Sequence, residues 1–201
     1  MNAPTISRLG NNRLTADEIE ASISTLTAAF VADPVIRWMY PDTRQYLGCF
    51  PRFLHAFGGR AFEMGTVKNE AENRATALWL APGMHPDDEA IEACLLETVA
   101  TERHGDLFKV FEDMDRSHPD FEHWYLPWFG TDPRWQSQGV GSQLLRDCLT
   151  AVDHDRLPAY LETPNPRNIA FYQRHGFSVI GLSQHGDCPT VTFMLREATS
   201  R

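Results

Sequence analysis

The chain has 201 residues, 42% of them hydrophobic, enough for one domain with a full hydrophobic core. Its 27 acidic and 18 basic residues give a net charge of −9, which excludes an electrostatic footprint for nucleic-acid backbones and would attract a cationic amine. No apolar run approaches the roughly 18 residues needed to span a bilayer, and the first residues lack a basic region followed by an apolar one, so neither a membrane partner nor an export signal is expected.

In chain order, residues 5–8 read as a short first strand. Thr15-Ala16-Asp17-Glu18 then has the spacing of a capping box, and Ile19, Ile23, Leu26 and Phe30 follow on one helical face. Asp33-Pro34 stops that helix, residues 35–40 form a short second one, and Pro41-Asp42 breaks the chain again. A third helix covers Phe53, Leu54 and Phe57, with Pro51 expected in its first turn and Gly58-Gly59 weakening its middle. Residues 66–70 and 74–80 pair around the turn-like Ala71-Glu72-Asn73. Pro86-Asp87-Asp88-Glu89 opens another helix, carrying carboxylates at the positive end of its dipole. A further helix is expected over 107–116.

From residue 124 the pattern sharpens. Trp124–Thr131 reads as a buried strand, and Val140, Leu144, Leu145, Cys148, Leu149 and Val152 recur at helical spacing after it. Between them lies a glycine-bearing turn, Gln136-Ser137-Gln138-Gly139-Val140-Gly141-Ser142. Such a turn leaves several N–H groups without intrahelical partners at the positive end of a helix dipole, so an anion is expected there. No third glycine and no Lys-Ser/Thr pair follows, so dinucleotide-fold and P-loop readings both fail. A strand over Ala159–Thr163, a helix over 168–175 and strands over 177–182 and 191–195 complete the chain. Alternating strands and helices ending in an antiparallel pair indicate an α/β domain with a mixed sheet.

The spacing Gln136-x-x-Gly139-x-Gly141 after Asp132-Pro133 resembles the acyl-CoA signature of the GCN5-related N-acetyltransferases, the GNAT superfamily. A second block, Leu161-Glu162-Thr163-Pro164-Asn165-Pro166-Arg167-Asn168 through Phe171-Tyr172 to Gly176-Phe177, is similar to the same family's closing strand, helix and Gly-Phe ending. Leu161-Glu162-Thr163, Ala28-Ala29-Phe30 and His123-Trp124-Tyr125-Leu126 look most like the puromycin N-acetyltransferase-like group. The resemblance covers residues 123–196 well and residues 1–122 in layout only. It implies an α/β single domain, with a mixed, mostly antiparallel sheet flanked by helices: residues 1–122 as acceptor-side half and 123–201 as acetyl-CoA-binding half.

The implied reaction is transfer of an acetyl group from acetyl-CoA to an amine of a small molecule, by direct attack in a ternary complex. Cofactor contacts are expected from Phe129, Gly130 and Thr131 on the strand edge, from Gln136, Ser137, Gln138, Gly139, Val140, Gly141 and Ser142 in the turn, and from Asn168, which can equally be a helix cap. Tyr172 stands where the family often places a tyrosine that protonates the departing thiolate; a phenol has an ordinary pKa of about 10 and can donate without being depleted at neutral pH. The strand carries Tyr125 where many family members have a glutamate, which leaves the base open among Glu162, the weaker Glu122 and His123, and water. A pair between Glu162 and Arg167 would make that carboxylate structural instead.

Acceptor contacts are expected from Phe30, Asp33, Trp38 and Trp124, with Tyr40 and Trp79 as further aromatic walls, each of which can equally be core. His55, His104, His118 and His185 lack a ligand-spaced partner, and Cys49, Cys94, Cys148 and Cys188 are too scattered for a metal or a disulfide framework, so no metal and a cytoplasmic location are expected. A monomer or homodimer is expected. Two rivals remain open: a peptide or protein amine acetyltransferase, which predicts an open groove, and a non-catalytic acyl-CoA-binding regulatory domain. A small-molecule enzyme predicts instead a closed pocket walled by residues 34–64.

Overall fold

The computed structural model describes Leu9 and residues 14–199; the expected strand over 5–8 lies outside them. The helical first half comprises α1 (Ala16–Ala29), α2 (Pro34–Met39), α3 (Thr43–Gly58) and α4 (Arg60–Met64), followed by the hairpin β1 (Val67–Asn69) and β2 (Ala75–Leu80) and the helices α5 (Asp88–Thr98) and α6 (Thr101–Ser117). The second half runs β3 (Trp124–Thr131), α7 (Val140–Asp155), β4 (Ala159–Thr163), α8 (Pro166–Gln173), β5 (Ser178–Ser183) and β6 (Val191–Arg196). The six strands form one sheet in the order β1-β2-β3-β4-β6-β5, and only the β3–β4 pair is parallel.

Local chemistry sets most boundaries. Thr15 and Glu18 close the expected capping box of α1 reciprocally. Asp33 and Asp42 each accept two backbone N–H groups and start α2 and α3 at the expected chain breaks. Pro51 falls in the interior of α3 rather than in its first turn; the carbonyl it leaves unpaired belongs to Leu47, which is 57% exposed, so water can replace the lost bond. Gly58 ends α3 instead of weakening its middle. A Cβ there would lie 2.4 Å from the Trp128 ring, so the glycine is what lets α3 approach β3. Helix α6 begins six residues before the expected start, because Ala100 caps it without any side-chain bond and offers no sequence signal.

The sheet separates two cores. Helices α1 to α6 cover one face, burying Leu26, Phe50, Phe53, Phe57, Leu107, Tyr125, Trp128 and Tyr160; α7 and α8 cover the other, burying Trp79, Trp124, Leu126, Leu145, Leu161 and Tyr172. Along β3, Trp124 and Leu126 face α7 while Tyr125 faces the other core, yet Trp128 lies with Tyr125 and not with Leu126. This break in alternation coincides with a register shift against β2, where Leu78 pairs with Trp128 but Leu80 with Tyr125. One extra β3 residue around Pro127 therefore bends the strand.

Candidate active site

That bend opens the sheet. β3 pairs with β4 only at Trp124 with Ala159 and Tyr125 with Tyr160, whereas β4 continues to pair with β6 as far as Thr163. Beyond Tyr125 the two central strands diverge, and the β3 edge from Leu126 to Thr131 faces no strand among the described residues. Phe129, Gly130 and Thr131 thus have one edge held by β2 and the other available to amide groups of an extended ligand. Gly130 has a second reason to be glycine: a Cβ would lie 2.6 Å from Ala29 Cβ on α1.

At the end of this edge, Asp132 accepts from the Arg134 N–H and pairs with its guanidinium, starting a turn that leads into α7. Ser137 and Gly139 both have positive φ, +60° and +83°, which turns successive amides outward. Gly139 caps α7 with no side-chain bond. No group among the described residues accepts from the N–H groups of Ser137, Gln138, Gly139, Val140, Gly141 or Ser142. These consecutive unpaired donors at a helix N-terminus, of which Ser137, Gln138 and Gly139 are exposed, fit a diphosphate. Gln136 differs from its neighbours: its N–H turns back to Pro133 O and its side chain donates to Thr131 O, so it shapes the turn.

The divergence opens into a cleft with about 780 Å³ of empty space when the open solvent at its mouth is counted. β3 residues 126–129 and the end of β4 form its floor, Asn168 and Tyr172 of α8 lie on one side, and α2, α3 and α6 roof the other. Of the expected acceptor residues, Phe30 and Asp33 line it. Trp38 does not; its indole donates to Asp187 and lies under Arg103. Trp124 is a correction as well: it sits on the α7 face, stacked edge-on against Trp79 and bonded to Asp155. Tyr40 is sealed in the helical core against Thr98. Asn168 is not the cap of α8, since Asn165 caps it and Asn168 faces the cleft instead.

Glu162 projects into the cleft from the helical side of β4. Burial raises its pKa from an ordinary 4.5 to about 7, and the neighbouring Tyr125 and Tyr160 oppose that rise without cancelling it. Arg167 is not among the groups that act on it. The Tyr160 hydroxyl is buried near this carboxyl but closes no full hydrogen bond among the described residues. From the opposite face Tyr172 reaches the same cleft, its ring packed among Phe129, Phe171 and Phe177 and its hydroxyl making no hydrogen bond among the described residues. Burial and the negative charge of Asp33 push the phenol above its ordinary pKa, so it stays protonated. Asp33 is itself buried, raised to about 6 by desolvation despite its two backbone donors. A gap in the sheet thus brings together a carboxyl poised near neutrality and a protonated phenol that the strand pattern alone would place on opposite faces.

Sequence reasoning missed the aromatic wall of Phe53, Phe57, Phe111 and Trp128, which read as helix core and strand core. The available signal is Pro127, a proline inside a strand, whose bulge turns Trp128 toward the cleft. The histidines are satisfied elsewhere: His118 faces His123 at 2.9 Å, and His185 binds Asp113. No group of three His, Cys, Asp or Glu among the described residues could hold a metal ion. No helix among them is long and apolar enough to cross a membrane.

Comparisons with known proteins agree with this geometry. The acetyltransferase (GNAT) family model matches residues 70–177, more than half of the chain. An uncharacterised N-acetyltransferase of Schizosaccharomyces pombe is 24% identical over 203 residues, covering 92% of this chain and 82% of that protein. Two solved structures share the fold: a histone acetyltransferase HPA2 and related acetyltransferase from Corynebacterium glutamicum, 23% identical with a TM-score of 0.63 over 94% of this chain and 96% of that one, and arylalkylamine N-acetyltransferase 2 from Aedes aegypti, 10% identical with a TM-score of 0.59 over 94% and 98%. With the open strand edge and the unpaired amide turn falling inside the matched segment, the chain belongs to the acetyltransferase (GNAT) family and is an N-acetyltransferase.

Proposed function

We propose that the protein acetylates the amine of a small molecule, using acetyl-CoA in a ternary complex. The observation that supports this reading is the partly roofed cleft: Val35, Ile36, Met39, Phe53 and Phe57 of the segment 34–64 wall it on one side, where a peptide would need an open groove. The amides from Ser137 to Ser142 hold the diphosphate, and the free edge of β3 pairs with the pantetheine amides and places the thioester where the strands diverge.

Glu162 then takes the proton of the acceptor ammonium, a task that suits a carboxyl with a pKa near 7. A β3 N–H on the unpaired edge stabilises the charge that develops on the thioester carbonyl oxygen as the amine attacks. Tyr172 donates its proton to the departing thiolate; burial and the charge of Asp33 keep the phenol protonated, so the proton is in place when the carbon–sulfur bond breaks. Asn168, beside Tyr172 on α8, is positioned to contact the thioester arm.

Calorimetry with acetyl-CoA and a thiol-release assay over small amines, peptides and intact proteins test this reading. Micromolar acetyl-CoA binding with turnover on small amines is expected. Turnover confined to peptides would replace the acceptor class, and binding without any turnover would leave a non-catalytic acyl-CoA-binding domain.

A further inference from the structure

We infer that the acceptor is an aliphatic amine with a single positive charge and no acid group, joined by a short linker to an aromatic ring. This inference rests on the acetyl-transfer reading above and narrows its substrate. The acceptor end of the cleft is an aromatic box. Trp128 meets Phe53 edge-on with ring centroids 5.8 Å apart and Phe57 at 5.7 Å, and Phe111 meets the same two phenylalanines at 6.4 and 6.0 Å. All four rings line the cleft, and a further ring would pack against them edge-on or offset. The box offers almost no polar handle, because the indole N–H of Trp128 already donates to Leu54 O at 3.1 Å.

Charge narrows the choice further. The ionisable carboxyls that line the cleft are Asp33 and Glu162, and no lysine, arginine or histidine among the described residues lines it. An ammonium entering here meets attraction. A carboxylate or phosphate entering here would be buried against two acidic side chains with no cation to pair with. A polyhydroxylated aminosugar would exchange its water contacts for phenylalanine rings.

The spacing of the two features sets the linker. Phe57 of the box contacts Tyr125 edge-on at 6.3 Å, and Tyr125 in turn lies beside Glu162. Box and carboxyl line the same cleft and are joined behind it through Tyr125, so an acceptor that meets both carries its nitrogen on a short chain from its ring.

The test compares kcat/KM of the full chain for matched pairs that differ only in the carboxylate: 2-phenylethylamine with L-phenylalanine, and tryptamine with L-tryptophan. Kanamycin and a short amino-terminal peptide are run alongside, and acetyl-CoA binding is followed by calorimetry. The amines are expected to exceed their amino acids by about 100-fold or more and to exceed kanamycin and the peptide likewise. Phe111→Ala is expected to raise KM for 2-phenylethylamine about tenfold or more while the acetyl-CoA dissociation constant stays unchanged. Comparable rates on L-phenylalanine, preference for kanamycin or the peptide, or failure to acetylate any of these amines with acetyl-CoA still bound would overturn the inference. Absence of acetyl-CoA binding would instead bring down the acetyl-transfer reading beneath it. The matched pairs use the unmodified protein, so they decide the matter even where Phe111→Ala does not fold.

Discussion

Glu162 and Tyr172 reach the cleft from opposite faces of the sheet, and burial gives each the protonation state that its proposed role needs. Glu162→Gln keeps the shape of the side chain and removes the proton acceptor, so kcat/KM is expected to fall about 100-fold or more, and the rise in rate on passing pH 7 should disappear. The same substitution has a stability signature of opposite use. A carboxyl whose pKa climbs from 4.5 to about 7 on folding holds a proton in the native state that the unfolded chain releases over that window. Native stability from this group is present below pH 4.5 and is lost as pH rises through 7. Urea midpoints measured at about pH 5 and about pH 8 should therefore differ less in Glu162→Gln than in the parent, and an equal difference would show that the carboxyl is not desolvated. Tyr172→Phe removes only a hydroxyl that makes no hydrogen bond among the described residues. It should lower kcat by about 100-fold with acetyl-CoA affinity unchanged. An unchanged kcat, with chemistry rate-limiting, would remove the acid role.

Elements whose limits are fixed by local chemistry were legible in the sequence, and those fixed by tertiary contact were not. The capping box at Thr15, the β3 span and the turn before α7 all follow from residues adjacent in the chain. The start of α6 has no side-chain cap to announce it, and α3 passes through Pro51 with Phe50, Phe53 and Leu54 buried on either side, which no local pattern records. The site divides in the same way. Its proposed cofactor half is a turn plus a strand edge, both local, whereas its acceptor half needs α3 laid on β3 and Phe111 of α6 set against α3, so the sequence points to Trp38 and Trp124 and leaves Phe53 and Phe111 as core. Gly58 is the residue on which that crossing depends. Gly58→Ala would push a methyl to 2.4 Å from the Trp128 ring, which is held by its bond to Leu54 O and packed by Phe53 and Phe57. The helix has to move or the ring has to leave its place, at a cost of about 1–3 kcal/mol. A lower urea midpoint together with a raised amine KM is expected, and a variant as stable as the parent would show that α3 does not seat on β3 as described.

At the scale of the whole molecule, the net charge of −9 acts in opposite senses on the two proposed ligands, a cationic amine and a polyanionic coenzyme. The field of the protein draws a cationic amine inward and opposes the approach of the polyanionic coenzyme, and the amide turn counters that opposition only at short range, through hydrogen bonds rather than net charge. Salt screens the long-range part: the Debye length shrinks from about 30 Å at 0.01 M to about 8 Å at 0.15 M, while hydrogen bonds at contact are little affected. Raising ionic strength over that range at about pH 7.5 should therefore weaken apparent affinity for the amine and strengthen it for acetyl-CoA, each by a factor of roughly two to ten. Steady-state KM values taken for both substrates across a sodium chloride series measure this directly. Two shifts in the same direction would mean that the local charge of the cleft, and not the charge of the molecule, governs how its substrates arrive.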